Sequence, residues 1–161
     1  GSLIALYWFT RKRAVSFWQL ADILTLPAIF ALGMGRLANF VNQEILGTIT
    51  QVPWCVRFLR ADPLQCRHPV QLYGAIGRFF TFFLLLRFNK KHKEGFLFWM
   101  FLFLLGIGRL LLDFLREDLR YLGLSVGQWF SILMVIGGGY VLFRYYQEDF
   151  RFVSFLYPRK D

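Results

Sequence analysis

Residues 95–115 read GFLFWMFLFLLGIGRLLLDFL, and only Arg109 and Asp113 among them are charged. A helix of about 20 mostly apolar residues is long enough to cross the hydrocarbon core of a bilayer. Further apolar runs lie at about residues 1–10, 20–40, 70–88 and 126–146. We therefore expect an all-α, polytopic helical membrane protein that forms one domain over residues 1–161, with about five transmembrane segments.

The overall composition agrees with a membrane location. Of the 161 residues, 57% are hydrophobic, 20% are aromatic and 18% are charged. Soluble domains typically contain about 25% charged residues, and a domain of this size cannot bury 20 Phe and 5 Trp. The excess of apolar side chains therefore excludes an ordinary soluble domain.

The chain is also basic, with a net charge of +9 from 19 Lys and Arg against 10 Asp and Glu. In a soluble protein such an excess would suggest a nucleic-acid partner. Here the basic residues stand between apolar runs, which is typical of topology signals and of contacts with anionic headgroups. We expect contact with membrane lipid and no nucleic-acid partner.

The distribution of Lys and Arg predicts an orientation. The segments that follow the first, third and fifth apolar runs hold 11 basic residues, whereas the other two connections hold 5. Since basic residues collect on the cytoplasmic side of a membrane, the C-terminus and the two short basic turns should be cytoplasmic. The connection at residues 42–69 should then lie outside.

The connection at residues 42–69 is too polar to span a membrane and contains three prolines. It also contains both cysteines, Cys55 and Cys66, whose spacing matches no zinc or redox motif. We therefore expect no metal site. In an oxidising compartment the two cysteines could form a disulfide, and two unpaired thiols are the alternative.

Three arginines, Arg36, Arg78 and Arg109, fall within or at the end of apolar runs. An unpaired cation there costs several kcal/mol, so each needs a partner or a function. With alternating spans, Arg36 and Arg109 both lie towards the outer side. Two cations could therefore converge at the depth of the outer-leaflet headgroups.

Arg36 belongs to the densest polar cluster, GRLANFVNQE at residues 35–44. If the helix continues through it, Arg36, Asn39 and Gln43 share one face, and Glu44 follows within about two turns. Such a group suits a phosphodiester, because a guanidinium binds phosphate oxygens while amides and a carboxylate hold hydroxyl groups. The alternative is a helix end at which Arg36 and Glu44 neutralise each other.

Two further clusters lie later in the chain. Arg109, Asp113 and Arg116 have helical spacing, so they form either an ion ladder or an arrangement in which Asp113 orients Arg109 towards a ligand. The other cluster is RHPVQLY at residues 67–73. Its His68 could act as a base or anchor the loop, whereas Gln71 and Tyr73 also suit a membrane interface.

In their order along the chain, these clusters resemble the motifs of the prolipoprotein diacylglyceryl transferase family of bacterial inner-membrane enzymes. The matching segments are GRLANFVNQE with the following Gly47, RHPVQLY, and GRLLLDFLR at residues 108–116. The resemblance covers nearly the whole chain and corresponds to the C-terminal five of the family's seven spans. We therefore expect this chain to be the catalytic half of such an enzyme, and a fragment of the enzyme is the alternative.

The resemblance implies transfer of a diacylglyceryl group from phosphatidylglycerol to the lipobox cysteine of a prolipoprotein signal peptide. It places the site on the outer face of the bacterial inner membrane and implies no metal or organic cofactor. The implied catalytic residues are Arg36, Glu44 and Arg109. The implied substrate-binding residues are Arg36, Asn39, Asn42, Glu44, His68, Gln71, Tyr73, Arg109, Asp113 and Arg116.

The chain also departs from the family pattern. Ala38 and Gln43 replace glycines, Leu105 replaces a tyrosine, Gly74 replaces a glutamate, and a His-Gly-Gly element of the family has no counterpart here. These departures keep open a non-catalytic lipid-binding relic. A small transporter or channel subunit would need polar residues in the inner halves of the spans, which are mostly Leu, Phe, Ile and Val.

Overall fold

The protein is a helical bundle with two short hairpins at its connections. The computed structural model describes residues 1–13, 15–61, 64–88, 92–117 and 120–150. In chain order the elements are α1 Ser2–Arg13, α2 Phe17–Val41, β1 Val56–Arg57, β2 Cys66–Arg67, α3 Val70–Phe88, α4 Phe96–Asp113, β3 Arg120–Tyr121, β4 Leu124–Ser125, α5 Val126–Tyr145 and α6 Gln147–Phe150.

Four helices in the described part of the chain, α2 to α5, are long and apolar enough to cross a membrane. The predicted helical membrane fold is therefore confirmed. The first predicted span is also helical, but the 12 residues of α1 make a helix about 18 Å long, against a hydrocarbon core of about 30 Å. The role of α1 as a span stays a prediction.

Some residues used to predict the orientation lie outside the described residues. They are Lys90 and Lys91, between α3 and α4 in the sequence, and residues 151–161, which include the C-terminus predicted to be cytoplasmic. The described basic residues at this end of the bundle, such as Arg87 and Lys93, are exposed.

The helices pack in the pairs α2 with α3 and α4 with α5, and α3 also contacts α4. Small residues allow the close approaches: a Cβ at Gly33 would lie 2.8 Å from the ring of Phe79, and one at Gly106 would lie 3.1 Å from the carbonyl oxygen of Ser131. Large apolar side chains on the outer faces remain exposed, as a lipid-facing surface requires. They include Phe80 and Phe83 on α3 and Leu133, Ile136 and Tyr140 on α5.

Side chains from neighbouring elements cap the helix ends. The buried carboxylate of Asp22 on α2 accepts hydrogen bonds from the amides of Gly95 (2.7 Å) and Phe98 (2.9 Å), at the start of α4. Ser125 and Gln128 form a reciprocal capping box at the start of α5. These contacts satisfy amides that a helix leaves without partners.

The described residues of the connection at residues 42–69, which are 42–61 and 64–69, contain no helix. Helix α2 ends at Val41, and Gln43 has a positive φ of 58°. The expectation that Gln43 shares a helix face with Arg36 and Asn39 is therefore wrong. The side-chain oxygen of Gln43 instead accepts a hydrogen bond from the Arg60 amide at 3.0 Å.

Of the two alternatives for the cysteines, the structure has the disulfide. Cys55 and Cys66 are bonded, with their Cα atoms 5.4 Å apart. The bond joins the residue before β1 to the first residue of β2, and these two strands pair in antiparallel fashion. It therefore closes the hairpin that carries Arg67 and precedes His68.

Candidate functional site

An arginine-rich cavity lies where α2, α3 and α4 meet next to the connection at residues 42–69. Among the described residues, its lining contains four guanidinium groups and one carboxylate, an excess of three positive charges, together with two apolar side chains. The lining residues are Arg36, Val70, Arg78, Arg109, Leu112, Asp113 and Arg116. The structure thus brings Arg36 and Arg109 together, as expected for alternating spans, and we call this space the arginine cavity.

Asp113 organises one wall of the arginine cavity. Its carboxylate is buried and accepts hydrogen bonds from Arg116 and from the hydroxyl of Ser125, both at 3.2 Å. The Nε atom of Arg109 lies 3.7 Å from the same carboxylate, yet 44% of the Arg109 side chain is exposed. The ion ladder is therefore present, and it leaves Arg109 accessible to a ligand.

The first turn of α5 closes on this ion ladder. A Cβ atom at Gly127 would lie 2.5 Å from Oδ2 of Asp113 and 2.8 Å from a terminal nitrogen of Arg109. A side chain at this position would therefore push the carboxylate and the guanidinium aside. Gly127 contributes to the site through the space that it leaves open.

Arg78 is the charged residue of the described cavity lining that was not among the candidate site residues from the sequence. It is buried in α3, donates a hydrogen bond to the carbonyl of Gly74 at 2.8 Å, and lines the arginine cavity. A Cβ at Gly74 would lie 2.9 Å from the Arg78 guanidinium and 3.4 Å from Cδ of Arg36. The signal for Arg78 was its position inside an apolar run, where an arginine requires an explanation.

Other candidates lie beside the arginine cavity, because the described residues that line it do not include Asn39, Asn42 or Glu44. Asn42 caps α2, and its carbonyl accepts a hydrogen bond from Arg60 at 3.2 Å. The Glu44 side chain is exposed, while its amide donates to the carbonyl of Asn39 at 2.9 Å. Asn39 lies in the last turn of α2, and Asn42 and Glu44 lie just after the helix ends.

Gln71 joins this turn to α3. Its side chain is fully buried and donates a hydrogen bond to the carbonyl of Glu44 at 2.7 Å. Val70, the residue before it, lines the arginine cavity. The Gln71 side chain therefore holds the main chain of Glu44 in position and does not face the membrane interface.

His68 and Tyr73 form a small cluster with Trp54 of the connection. The Tyr73 hydroxyl accepts a hydrogen bond from the indole nitrogen of Trp54 at 2.7 Å and lies 3.3 Å from Nδ1 of His68. The three side chains hold the connection against the start of α3. This geometry agrees with the loop-anchoring alternative for His68.

A second, more apolar space continues from the arginine cavity between α3 and α4. It contains about 280 Å³ of empty space, part of it open to the surroundings. Apart from the local backbone of its own helix, no described atom lies within 4 Å of a Cβ placed at Gly77 or Gly108, so the space is open at these two glycines. We call it the apolar groove; its lining residues are Ile29, Gly74, Gly77, Arg78, Thr81, Leu104, Leu105, Gly108, Arg109 and Leu112.

The apolar helices and the basic cavity at one end of their bundle define the chain as a multi-pass membrane protein with an arginine-lined site. The family model described as prolipoprotein diacylglyceryl transferase matches residues 1–144. The chain belongs to this family.

Curated relatives agree with the family match. The chain is similar to the phosphatidylglycerol–prolipoprotein diacylglyceryl transferases of Polynucleobacter asymbioticus (39% identical over 151 residues, 89% of this chain and 58% of the relative) and Aliarcobacter butzleri (39% over 154 residues, 89% and 55%). The corresponding protein of Polynucleobacter necessarius is 37% identical over 149 residues, 88% of this chain and 56% of the relative. The chain thus spans a little over half the length of these relatives.

Proposed function

We propose that this chain takes part in the transfer of a diacylglyceryl group from phosphatidylglycerol to the lipobox cysteine of a prolipoprotein signal peptide. The observation that carries the proposal is the arginine cavity at the head of an apolar groove. The positive charge of the arginine cavity suits an anionic headgroup, and the largely apolar lining of the groove suits an apolar tail. The family and the names of the relatives supply the reaction.

The reaction joins the sulfur of the cysteine to the terminal glyceryl carbon of the diacylglyceryl group. The thiol loses its proton, the carbon–oxygen bond to phosphate breaks, and its electron pair leaves with glycerol phosphate. The product is a thioether. Because negative charge grows on the leaving phosphate, fixed guanidinium groups stabilise the transition state more than the ground state.

The site geometry suggests a role for each group of residues. Arg36 and Arg109 bind the phosphate. Asp113 holds Arg109 and Arg116 in place. Arg78 adds a further positive charge from its buried position in α3. Asn39 in the last turn of α2, together with Asn42 and Glu44 just after it, would hold the glycerol headgroup. His68, Gln71 and Tyr73 keep the connection over the site. The nucleophile belongs to the substrate, so Cys55 and Cys66 are free to serve as a structural disulfide.

We propose an orientation with the arginine cavity at the outer face of the bacterial inner membrane and the C-terminus in the cytoplasm. The disulfide supports it, because disulfides persist in oxidising compartments. The excess of Lys and Arg at the opposite end of the bundle supports it as well.

A transfer assay tests the proposal. The purified chain is incorporated into phosphatidylglycerol vesicles with a lipobox peptide, and mass spectrometry follows the peptide. We expect a mass increase equal to one diacylglyceryl group on the cysteine, and none with a Cys→Ser peptide or with phosphatidylcholine vesicles. If the chain gives no product, the assay is repeated after extension to the length of the relatives, and the absence of product there as well contradicts the proposal.

The second candidate function is binding of the lipid without transfer. Leu105 favours it, since this apolar side chain lines the groove at the position where the sequence resemblance leads us to expect a tyrosine. A chain that binds phosphatidylglycerol more tightly than phosphatidylcholine and yields no thioether at either length would show this function.

A further inference from the structure

Arg67 is a buried cation outside the arginine cavity. Only 2% of its surface is exposed, and one terminal nitrogen donates to the carbonyl of Gly47 at 3.1 Å and to the carboxylate of Glu117 at 2.6 Å. Its Nε atom is buried and has no hydrogen-bond partner among the described residues. A buried guanidinium that is only partly paired is a poor source of stability, so a different role for Arg67 has to be considered.

The surroundings of Arg67 form a row of four short extended segments, which we call the loop row. β1 pairs with β2, and Arg67 on β2 bridges to Ile49 on its other side. Residues 47–50 in turn bridge to Arg116, just after α4. The order across the loop row is therefore β1, β2, residues 47–50 and residues 115–116.

Main-chain hydrogen bonds connect the inner segments of the loop row. The amide of His68 donates to the carbonyl of Thr48 at 3.0 Å, and the amide of Thr48 donates to the carbonyl of Leu115 at 2.8 Å. The Arg67 side chain extends across the loop row in the same direction as these hydrogen bonds, from β2 towards residues 115–116. It starts on β2, crosses the middle segment at Gly47 and reaches Glu117 at the far edge.

The loop row connects the ends of three helices. Residues 47–50 follow α2, β2 leads into α3, and residues 115–116 follow α4. These helices carry Arg36, Arg78 and Arg109, respectively, so the spacing of their ends determines the width of the arginine cavity.

We propose that Arg67 is a positioning residue, which fixes the ends of α2, α3 and α4 and thereby the separation of the arginines in the cavity. This inference rests on the proposed function for its activity measurement. Glu117 is a weaker partner, because 52% of its side chain is exposed and exposed ion pairs contribute little. The hydrogen bond from Arg67 to the carbonyl of Gly47 therefore contributes more to this positioning than the ion pair with Glu117 does.

The test compares Arg67→Met with Arg57→Met as a matched control. Arg57 lies on β1 of the same hairpin, and its side chain is exposed. Amide hydrogen exchange of Thr48 and His68 reports on the loop row, and the KM for phosphatidylglycerol reports on the arginine cavity. We expect Arg67→Met to speed exchange at both amides at least about tenfold and to raise KM, whereas Arg57→Met changes neither.

The KM distinguishes positioning from stability. A smaller folded fraction lowers the apparent kcat and leaves KM unchanged, whereas a misplaced set of arginines weakens binding of the lipid. Arg67→Lys should raise the KM less than Arg67→Met does, because an ammonium replaces one hydrogen bond but not the planar geometry of the guanidinium. If Arg67→Met does not fold, Glu117→Gln provides the same comparison with a smaller expected effect.

The outcomes separate this inference from the proposed function. Unchanged amide exchange in Arg67→Met would show that Arg67 does not hold the loop row. Faster exchange with an unchanged KM would show that the loop row does not determine the separation of the arginines in the cavity. If the unaltered chain transfers no lipid, its affinity for short-chain phosphatidylglycerol in micelles replaces KM. Equal affinities of the unaltered chain and Arg67→Met would then overturn the inference.

Discussion

Arg36 is the residue at which the phosphate assignment is most directly tested. Its side chain lines the arginine cavity and packs over Gly74. We expect Arg36→Ala to reduce transfer by at least about 100-fold while the helices remain intact, because one guanidinium aimed at developing charge is worth several kcal/mol. Arg36→Lys should be intermediate, since an ammonium cannot bind two oxygens side by side.

The control for Arg36 is Arg87→Ala, which removes an exposed arginine from the last turn of α3. Transfer by this variant should equal that of the unaltered chain, and circular dichroism should show the same helix content in both variants. Full activity in Arg36→Ala would show that the phosphate binds elsewhere.

Gly127 gives a second prediction at the residue scale. A Cβ there meets the ion ladder of Asp113 and Arg109, whereas Gly137 on the same helix has no atom within 4 Å of such a Cβ. We expect Gly127→Ala to cost about 1–3 kcal/mol of stability, as overpacked sites do, and to lower transfer at least about tenfold by moving Arg109. Gly137→Ala should leave transfer unchanged, and similar losses in both variants would contradict the steric argument.

The arginines show what single residues in the sequence can reveal. Arg36 and Arg109 were predictable partners because alternating spans place them on the same side. Arg78 stood out as a cation in an apolar run, but no sequence spacing relates it to Arg36, and only the packing of α2 on α3 brings them together. Arg67 begins the RHPVQLY cluster but was not a candidate site residue, because an arginine in a polar loop is ordinary. Its hydrogen bonds go to Gly47 and Glu117, which are distant in the sequence.

At the scale of elements, the long helices were predictable and their ends were not. Runs of about 20 apolar residues identify spans because a bilayer imposes that length. The end of α2 depends on local geometry: Asn42 caps the helix, and Gln43 and Ile45 both adopt positive φ. Strands of two residues, such as β1 and β2, are too short to show an alternating pattern.

The start of α4 depends on another helix. Gly95 provides no side-chain cap for α4, and Asp22 of α2 accepts hydrogen bonds from two amides there. We expect Asp22→Ala to lower the free energy of unfolding by about 2 kcal/mol, because both amides lose their partner in a buried place. Asp22→Asn should lose less stability, because its amide oxygen still accepts one hydrogen bond. Unfolding in mixed detergent micelles measures the stability of both variants, and equal losses would contradict capping by the Asp22 carboxylate.

The disulfide belongs to the hairpin β1–β2. It joins positions 11 residues apart, and a loop of this size is worth up to about 3 kcal/mol in the chain-entropy description. We expect the double variant Cys55→Ser, Cys66→Ser to keep α2 to α5 intact while amide exchange in residues 47–50 and 66–68 becomes faster. Proteolysis of the connection at residues 42–69 should accelerate too, and unchanged exchange would show that the hairpin is stable without the bond.

For the whole molecule, the two ends of the bundle use basic residues differently. At one end Arg11, Lys12 and Arg13 are exposed, which suits a topology signal, since headgroups and water can solvate these charges. At the other end Arg67 and Arg78 are buried. The same residue types are therefore exposed at one end of the bundle and buried at the other, where Arg78 lines the arginine cavity and Arg67 lies outside it.

This difference predicts which end faces the oxidising side. After mild reduction of intact cells, a membrane-impermeant maleimide should label Cys55 and Cys66, because the connection at residues 42–69 lies outside in the proposed orientation. In a Cys55→Ser, Cys66→Ser background, Lys93→Cys in the turn before α4 should react only after the membrane is opened. The opposite labelling pattern would show the inverted orientation, with the arginine cavity in the cytoplasmic leaflet. A disulfide would be unstable there, and the excess of Lys and Arg would lie on the outer side of the membrane, against the usual distribution.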